Sequence, residues 1–228
     1  MIDRILPPPV AAHECFGDVE DARLFPAERD LIATSADGRR REFGTVRHLA
    51  RAAMRDLGCP EAPVLHGPRR EPLWPAGLVG SMTHCRGYRA AALARRTDVV
   101  GLGLDAEPNE PLSPGVLDVV GLPEERAQLL GLRAEDPTVH WDRLLFCVKE
   151  AVYKVWYPLA GTWLGFTDAM VSFTGTGGTF TVVLQVPGPP LGTQSPHTLQ
   201  TLRGHWRSER GILAAATVVP IVPVSTPS

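Results

Sequence analysis

The sequence predicts an α+β fold on three observations. Strand-like and helix-like stretches occur in both halves, they do not alternate in a regular βαβ rhythm, and the last third is almost entirely strand-like. With 44% of its 228 residues hydrophobic and 21% charged, the chain can bury a real core as one large domain or two small ones. No internal repeat is visible in the sequence.

The first forty residues read as irregular chain, "LPPPVAAHECFG", followed by a short helix around "PAERDLIA". "TVRHLARAAMRDLG" is an amphipathic helix, with Thr45 as N-cap, Gly58 as its stop and Leu49, Ala52, Ala53 and Leu57 as its core stripe. Arg47, Arg51 and Arg55 recur every four residues and form a basic edge on it. "GPRREPLWPAGLVGSMTHCRG" is too rich in proline and glycine for regular structure, so it reads as a loop leading into the strand "YRAAALARR". A second strand, "VVGLGLDAE", follows the polar "RRTD", a hairpin pattern. Beyond the loop at "PNEPLSPG", "PEERAQLLG" is a short helix begun by Pro123 and ended by Gly131. A long helix then runs from about Pro137 to Tyr157, capped by Asp136 and stopped by Pro158. The strands "AMVSFTG", "TFTVVLQV" and "GILAAATVV" complete the chain, separated by "GTGG" and the loop "PGPPLGTQSPHT"; the tail "PIVPVSTPS" reads as frayed.

A formal net charge of -2 supplies no global field to draw in nucleic acid, and no run approaches the roughly 18 apolar residues of a membrane span. "MIDRILPPPV" lacks the basic and apolar regions of a signal peptide, so a cytoplasmic location is expected, without nucleic-acid or membrane partners. Cys15, Cys59, Cys85 and Cys147 are single and widely spaced, with no CxxC pair for zinc or redox chemistry. Among the 23 Lys plus Arg residues only Lys149 and Lys154 are lysine, and they flank Glu150. In so arginine-rich a chain that pairing is informative, because a compact ammonium meets phosphate or carboxylate differently from a planar guanidinium.

Alternate side chains of an extended strand share a face, so Asp105 and Glu107 point the same way with Cα atoms roughly 6.5 Å apart, as one wall of a divalent metal site. Gly101 and Gly103 lie on that face, where missing side chains admit another element closely. On the long helix, Trp141, Leu144, Leu145, Val148, Val152 and Val155 form the core stripe, whereas Glu150 lies about 200° from Val148. Its neighbours there are Phe146, Tyr153 and Lys154, and aromatics around a carboxylate read as the wall of a cleft. Three carboxylates without paired histidines select a hard cation with oxygen ligands, Mg2+ with Mn2+ able to substitute, of the kind that grips substrate phosphates. An acid pair alone is more often a solvated strand end, with Glu150 paired to Lys154. The basic groups elsewhere reverse that balance. Arg39, Arg40, Arg41 and Arg47 surround a helix start, Arg69 and Arg70 sit in the proline-rich loop, and "GSMTH" sets His84 behind small and hydroxylic residues able to cradle a phosphate.

"VGLGLDAEP" resembles the (V/I)G(V/I)D-x-E motif, and "FCVKEAVYK" the (F/W)-x-x-KE-(A/S)-x-x-K motif, of the Sfp-type 4'-phosphopantetheinyl transferases. "REPLWPAGLVGSMTH" resembles their proline-rich loop, and "RRREFGTVRHLAR", "HWDRLLF" and "WLGF" resemble the actinobacterial branch, so the match spans roughly residues 25 to 175. The resemblance implies a pseudo-dimer of two similar α/β subdomains, residues 1–103 and 104–228, with coenzyme A in the cleft between them. It implies Asp105, Glu107 and Glu150 as metal ligands. Arg39, Arg47, Arg69, Thr83 and His84 would hold the 3'-phosphoadenosine and pyrophosphate, with Arg40 or Arg41 as alternatives to Arg39, and Lys149 and Lys154 would neutralise phosphate from the helix side. The implied reaction is Mg2+-dependent transfer of the 4'-phosphopantetheine arm of coenzyme A to a serine of an apo acyl or peptidyl carrier protein, releasing 3',5'-adenosine bisphosphate. Glu150 would be the base and Lys154 would steady the developing charge, in a monomer. "GLPEERAQLLGLRAED" and the region near Trp163 are the candidate carrier-facing rims.

Two rival readings make different demands. A metal-dependent nuclease or phosphodiesterase would place a lysine two residues beyond Glu107 on the same strand, where Asn109 stands. A non-catalytic nucleotide-binding module would leave the three carboxylates without a role.

Overall fold

Two antiparallel sheets, each with one long helix on its outer face, build the molecule; the computed structural model describes residues 1–191 and 197–221. The first half contains β1 (Ala11–Phe16), α1 (Pro26–Asp30), α2 (Asp37–Asp56), the short pair β2 (Leu65–His66) and β3 (Pro72–Leu73), β4 (Leu78–Cys85) and β5 (Tyr88–Arg95). Its main sheet has the order β1-β5-β4. The second half contains β6 (Val99–Pro108), α3 (Val116–Val120), α4 (Pro123–Glu135), α5 (Trp141–Ala160), β7 (Ala169–Phe173), β8 (Thr179–Leu184), β9 (Thr201–Glu209) and β10 (Ile212–Pro220), in the sheet order β6-β10-β9-β8-β7. The α+β class stands. No helix among the described residues is long and apolar enough to cross a membrane.

Strand alternation sorts the core into layers. Ala90, Ala92 and Ala94 of β5 meet Leu102, Leu104 and Ala106 of β6 and Ala214 and Ala216 of β10, and the alanines let the two sheets approach around the two leucines. The opposite face of β5, Ala91 and Leu93, packs under Leu49, Ala50, Ala53 and Met54 of α2. The opposite face of β6 carries Gly101, Gly103, Asp105 and Glu107 towards α5. A Cβ on Gly103 would lie 1.9 Å from the Ala151 carbonyl oxygen, and one on Gly101 3.0 Å from Val155. From there the strand and helix run antiparallel in step: Gly101 meets Val155 and Leu159, Gly103 meets Ala151, and Glu107 meets Arg143. Two strand residues advance about 6.6 Å and four helix residues about 6 Å, so the two periodicities stay matched over three helical turns.

Several elements differ from the sequence expectation. α2 begins at Asp37, not Thr45, and the Thr45 hydroxyl is buried, accepting the Val19 N–H at 3.0 Å. "GSMTH" is strand β4, not a loop, because its backbone ladders with β5 from Ser81 opposite Ala92 to His84 opposite Arg89. β5 and β6 do not form a hairpin: both edges of β5 are taken by β1 and β4, and β6 pairs with β10 instead. The continuous pairing of β6 carries it through the 103/104 division, so the junction by hydrogen bonding falls in the turn before Val99. α4 runs through Gly131 to Glu135 because Leu132, the next residue, is buried with Leu129 one turn before. Asp136 caps a turn by accepting from Thr138, so α5 starts at Trp141; Pro158 is held in its last turn, which ends at Gly161 with φ +67°. β1 lies in the stretch expected to be irregular, and is a strand because its backbone ladders with β5 from Ala11 opposite Leu93 to Phe16 opposite Tyr88. β9 carries no expectation, although it alternates cleanly, with Leu202, Gly204 and Trp206 buried and Thr201, Arg203 and His205 exposed. The segments 192–196, inside the loop "PGPPLGTQSPHT", and 222–228, in the tail expected to fray, lie outside the described residues.

The two halves share a polar device. "FPAER" and "LPEER" each start a helix with proline at its first position and glutamate at its third. The Glu28 Oε2 accepts the Phe25 N–H at 2.9 Å, its Oε1 accepts the Val64 N–H at 2.9 Å, and Arg51 donates to both oxygens at 3.1–3.2 Å. In the second half, Glu125 Oε2 accepts the Leu122 N–H at 2.7 Å, its Oε1 accepts the Val171 N–H at 2.6 Å, and Lys149 donates at 2.7 Å. The internal repeat is thus present as a constellation of contacts. It also removes Arg47 and Arg51 from the expected basic edge of α2: both are buried with Glu28, and only Arg55 is exposed.

The Gly103–Ala151 approach leaves no room for a methyl group. Gly103→Ala is expected to destabilise the fold by roughly 3 kcal/mol or more, since backbone, not a pliable side chain, blocks the added carbon. Gly101→Ala, facing the Val155 side chain, should cost less; urea unfolding of both variants checks the order.

Candidate active site

The long edge of each half faces the other across a cleft of about 460 Å³. α2 supplies Arg39, Phe43 and Arg47, the β2–β3 segment His66, Arg69 and Arg70, β4 Met82 and His84, and α5 Glu150, Tyr153, Lys154 and Tyr157. One wall is therefore rich in arginine, while the other carries the carboxylate and ammonium of α5.

β4 and β6 meet beside this cleft without a backbone ladder, and side chains bridge them. The Ser81 hydroxyl donates to the Leu104 carbonyl at 3.3 Å and accepts the Leu104 N–H at 3.0 Å. The Thr83 hydroxyl accepts the Ala106 N–H at 3.1 Å and donates to Asp105 Oδ1 at 3.0 Å. Lys154 Nζ donates to Asp105 Oδ1 at 2.7 Å, to the Leu104 carbonyl at 3.0 Å and to the Met82 carbonyl at 3.2 Å. Thr83 accordingly turns to the seam and the acid, not into the cleft. Asp105 is buried, and among the described residues its Oδ2 has no hydrogen-bond partner.

Glu107 receives Arg143 at 3.1 Å; burial, with the Asp105 charge second, lifts its carboxyl above the ordinary glutamate range. Burial followed by Asp105 does the same to Glu150, against the opposing pull of Lys154. The three acids therefore share one electrostatic neighbourhood centred on Asp105. They do not form the ready-made metal cage expected from the motif: among the described residues no three His, Cys, Asp or Glu side chains are gathered closely enough to hold an ion. The physical reason is that Lys154 already occupies Asp105 and Arg143 already occupies Glu107. The donor set nonetheless fits a hard cation, because all three groups offer oxygen and Asp105 Oδ2 is buried without a hydrogen bond among the described residues.

On the opposite wall, Arg39 donates to His84 Nε2 at 2.6 Å, while the other ring nitrogen faces Glu42 at 3.5 Å. Burial, then the Arg39 charge, lowers the His84 pKa, consistent with a neutral ring that accepts from Arg39. The alternatives to Arg39 are committed elsewhere: Arg40 donates to the Ser35 and Ala33 carbonyls, and Arg41 pairs with Asp18. Arg47 donates to the Val64 carbonyl at 2.9 Å with its guanidinium 3.2 Å from the Phe43 ring centre. Burial draws its pKa down to about 10, which leaves it charged at neutral pH. Arg69 lines the cleft, its own N–H donating to Glu71 at 2.9 Å.

Lys149 departs from its expected role. Its ammonium is buried between Glu125 and the Phe166 carbonyl, both at 2.7 Å, and is absent from the residues lining the cleft. Glu125 and Arg143 had drawn no attention in the sequence; the repeated "hydrophobic-Pro-x-Glu-Arg" pattern was the available signal for Glu125, and a seven-residue, two-turn offset from Glu150 was the signal for Arg143.

Comparison with known families bears on this cleft directly. Residues 27–94 match the model of the 4'-phosphopantetheinyl transferase N-terminal domain, and residues 101–212 match the model of the 4'-phosphopantetheinyl transferase superfamily. The chain belongs to this superfamily. The two matches meet between the halves that wall the cleft. The chain is 47% identical to the 4'-phosphopantetheinyl transferase Svp of Streptomyces mobaraensis, covering 96% of this chain and 89% of that protein. It is also 47% identical to the 4'-phosphopantetheinyl transferase PptT of Mycobacterium tuberculosis, with 92% of each covered. Enterobactin synthase component D of Salmonella typhimurium is 32% identical over 75% of this chain and 74% of its own. As an enzyme this chain is thus a 4'-phosphopantetheinyl transferase, of the kind known in actinobacteria.

A buried partner separates the two lysines of this transferase experimentally. Lys149→Met strands Glu125 as an unpaired buried charge and is expected to cost about 3–5 kcal/mol in denaturant unfolding. A lysine serving only a bound phosphate would change stability by less than about 0.5 kcal/mol.

Proposed function

We propose that this transferase moves the 4'-phosphopantetheine arm of coenzyme A onto a serine of an apo acyl or peptidyl carrier protein, with Mg2+, or Mn2+ in its place. It would do so as a cytoplasmic monomer, since one chain supplies both walls of the cleft. The observation that carries the reading is the opposition of Arg39, Arg47, Arg69 and His84 to Glu150 and Lys154 across a single cavity of about 460 Å³, in a member of this superfamily.

In this reading Arg39, Arg69 and His84 bind the 3'-phosphate, and Arg47, fixed against Phe43 and the Val64 carbonyl, presents charge without a flexible search. Asp105, Glu107 and Glu150 would hold the divalent ion, which when bound supplies positive charge to the pyrophosphate. Thr83 acts by orienting Asp105. Glu150, lifted in pKa by burial and by Asp105, takes the proton of the carrier serine, directly or through a water. The serine oxygen forms its bond to the β-phosphorus as the bridging P–O bond breaks. The electron pair leaves on 3',5'-adenosine bisphosphate, with Lys154 steadying that charge. Tyr153, which lines the cavity and is in ring contact with Tyr157 and with the exposed Trp163, borders the side on which a carrier protein would approach.

Incubation with coenzyme A, Mg2+ and an apo carrier protein should add one phosphopantetheine to the carrier by intact mass, with equimolar 3',5'-adenosine bisphosphate. Glu150→Gln should slow transfer at saturating metal by about 100-fold or more; a normal rate there would remove Glu150 as the base. His84 supplies a pH test. A bound 3'-phosphate raises the lowered His84 pKa, so binding takes up a proton and affinity falls as pH rises between the two values. His84→Asn should flatten that part of the profile, leaving the titration of the phosphate itself.

A further inference from the structure

An ammonium has three N–H donors, and in Lys154 all three meet acceptors: Asp105 Oδ1 at 2.7 Å, the Leu104 carbonyl at 3.0 Å and the Met82 carbonyl at 3.2 Å. In this arrangement none remains for a phosphate. Glu107 is paired with Arg143 at 3.1 Å, while Glu150 has no ion pair among the described residues. Among these five side chains three carboxylates against two cations leave one negative charge, on the wall opposite Arg39, Arg47 and Arg69. A divalent ion added alone turns that into one positive charge in partly buried surroundings, where excess charge is poorly screened. The pyrophosphate of coenzyme A carries two negative charges, so ion and pyrophosphate arriving together restore the original balance. A pyrophosphate bound in this cleft, which Lys154 lines, would offer its ammonium a new partner. Asp105 Oδ1 then keeps only the Thr83 hydroxyl, beside the buried Oδ2 that has no partner among the described residues.

We propose that Lys154 is a stand-in cation on Asp105 that the pyrophosphate draws away, so that divalent metal and coenzyme A bind this transferase with positive coupling. The proposal rests on the reading of the cleft as the coenzyme A site. It gives Lys154 two successive partners and makes the metal site competent chiefly when substrate is present. Neither ligand needs a lid for this: the exchange is made by one side chain at the seam of β4 and β6.

The test is Mn2+ binding to the full chain, read as loss of the free-ion EPR signal, with and without saturating coenzyme A and with the coenzyme A–Mn2+ blank subtracted. Coenzyme A binding with and without Mn2+ is measured in parallel by calorimetry. Mn2+ should bind at least tenfold more tightly with coenzyme A, and coenzyme A should tighten by the same factor with Mn2+, as linkage requires. In Lys154→Met, shown folded by circular dichroism, Mn2+ alone should bind more tightly than to the wild type, and the coupling should shrink below threefold. Lys154→Arg, which keeps a cation on Asp105, should preserve weak binding of Mn2+ alone. Equal Mn2+ affinity with and without coenzyme A overturns the coupling and leaves the site reading intact; this arm needs no variant. Unchanged binding of Mn2+ alone in Lys154→Met overturns Lys154 as the stand-in. Failure of the wild type to bind coenzyme A, or to bind Mn2+ even with it, overturns the site reading and the proposal together.

Discussion

The seam between β4 and β6 is the constraint on which the site depends. Two sheets meet there edge to edge, and the backbone groups of Leu104 and Ala106 would be buried without partners if the Ser81 and Thr83 hydroxyls and the Lys154 ammonium did not reach them. Each such group left unpaired costs about 1–3 kcal/mol, so the hydroxyls are structural necessities before they are anything else. Because the same bonds run between the half that carries His84 and the half that carries Asp105, satisfying the backbone also sets the two walls of the cleft against one another. The acid at the centre, Asp105, is aimed by the groups that close the seam.

Close packing supplies the third participant. The glycines of β6 bring α5 down onto the strand, and the near match between two strand residues and four helix residues keeps them in step as far as Arg143 and Glu107. This register carries Glu150 and Lys154 to the cleft side of α5 while Ala151 and Val155 fill the strand side. Buried acids complete the frame. Glu28 and Glu125 each collect a helix-start N–H, an N–H from a distant segment and a cation from the long helix, so one carboxylate ties three pieces of chain in each half. Breaking such a set leaves a buried charge uncompensated, which makes the arrangement specific even where its net contribution to stability is small.

Much of this was legible beforehand. The two long helices, the strand-rich last third, the glycine face of β6 and the core stripe of α5 follow from periodicities of two and 3.6 residues, which are local properties of the chain. The motifs around Asp105 and Glu150, and their order along the chain, pointed to the family that the comparisons show. β1 was not legible because its side chains are all half-buried and do not alternate in character. The β5–β6 hairpin failed because sequence proximity says nothing about which edges are already taken, and both edges of β5 were.

The amino-acid sequence by itself determined which residue types stand at which period: two acids on one strand face, two glycines behind them, and a glutamate between the chain's two lysines. Tertiary structure alone decided how each charge is spent. Lys149 and Lys154 are five residues apart in one motif, yet the first is buried against Glu125 from α4 and the second bridges Met82, Leu104 and Asp105. The reason is that a charge takes its role from the partners and the solvent around it, and those partners lie between 17 and 72 residues away along the chain, beyond the reach of any local pattern.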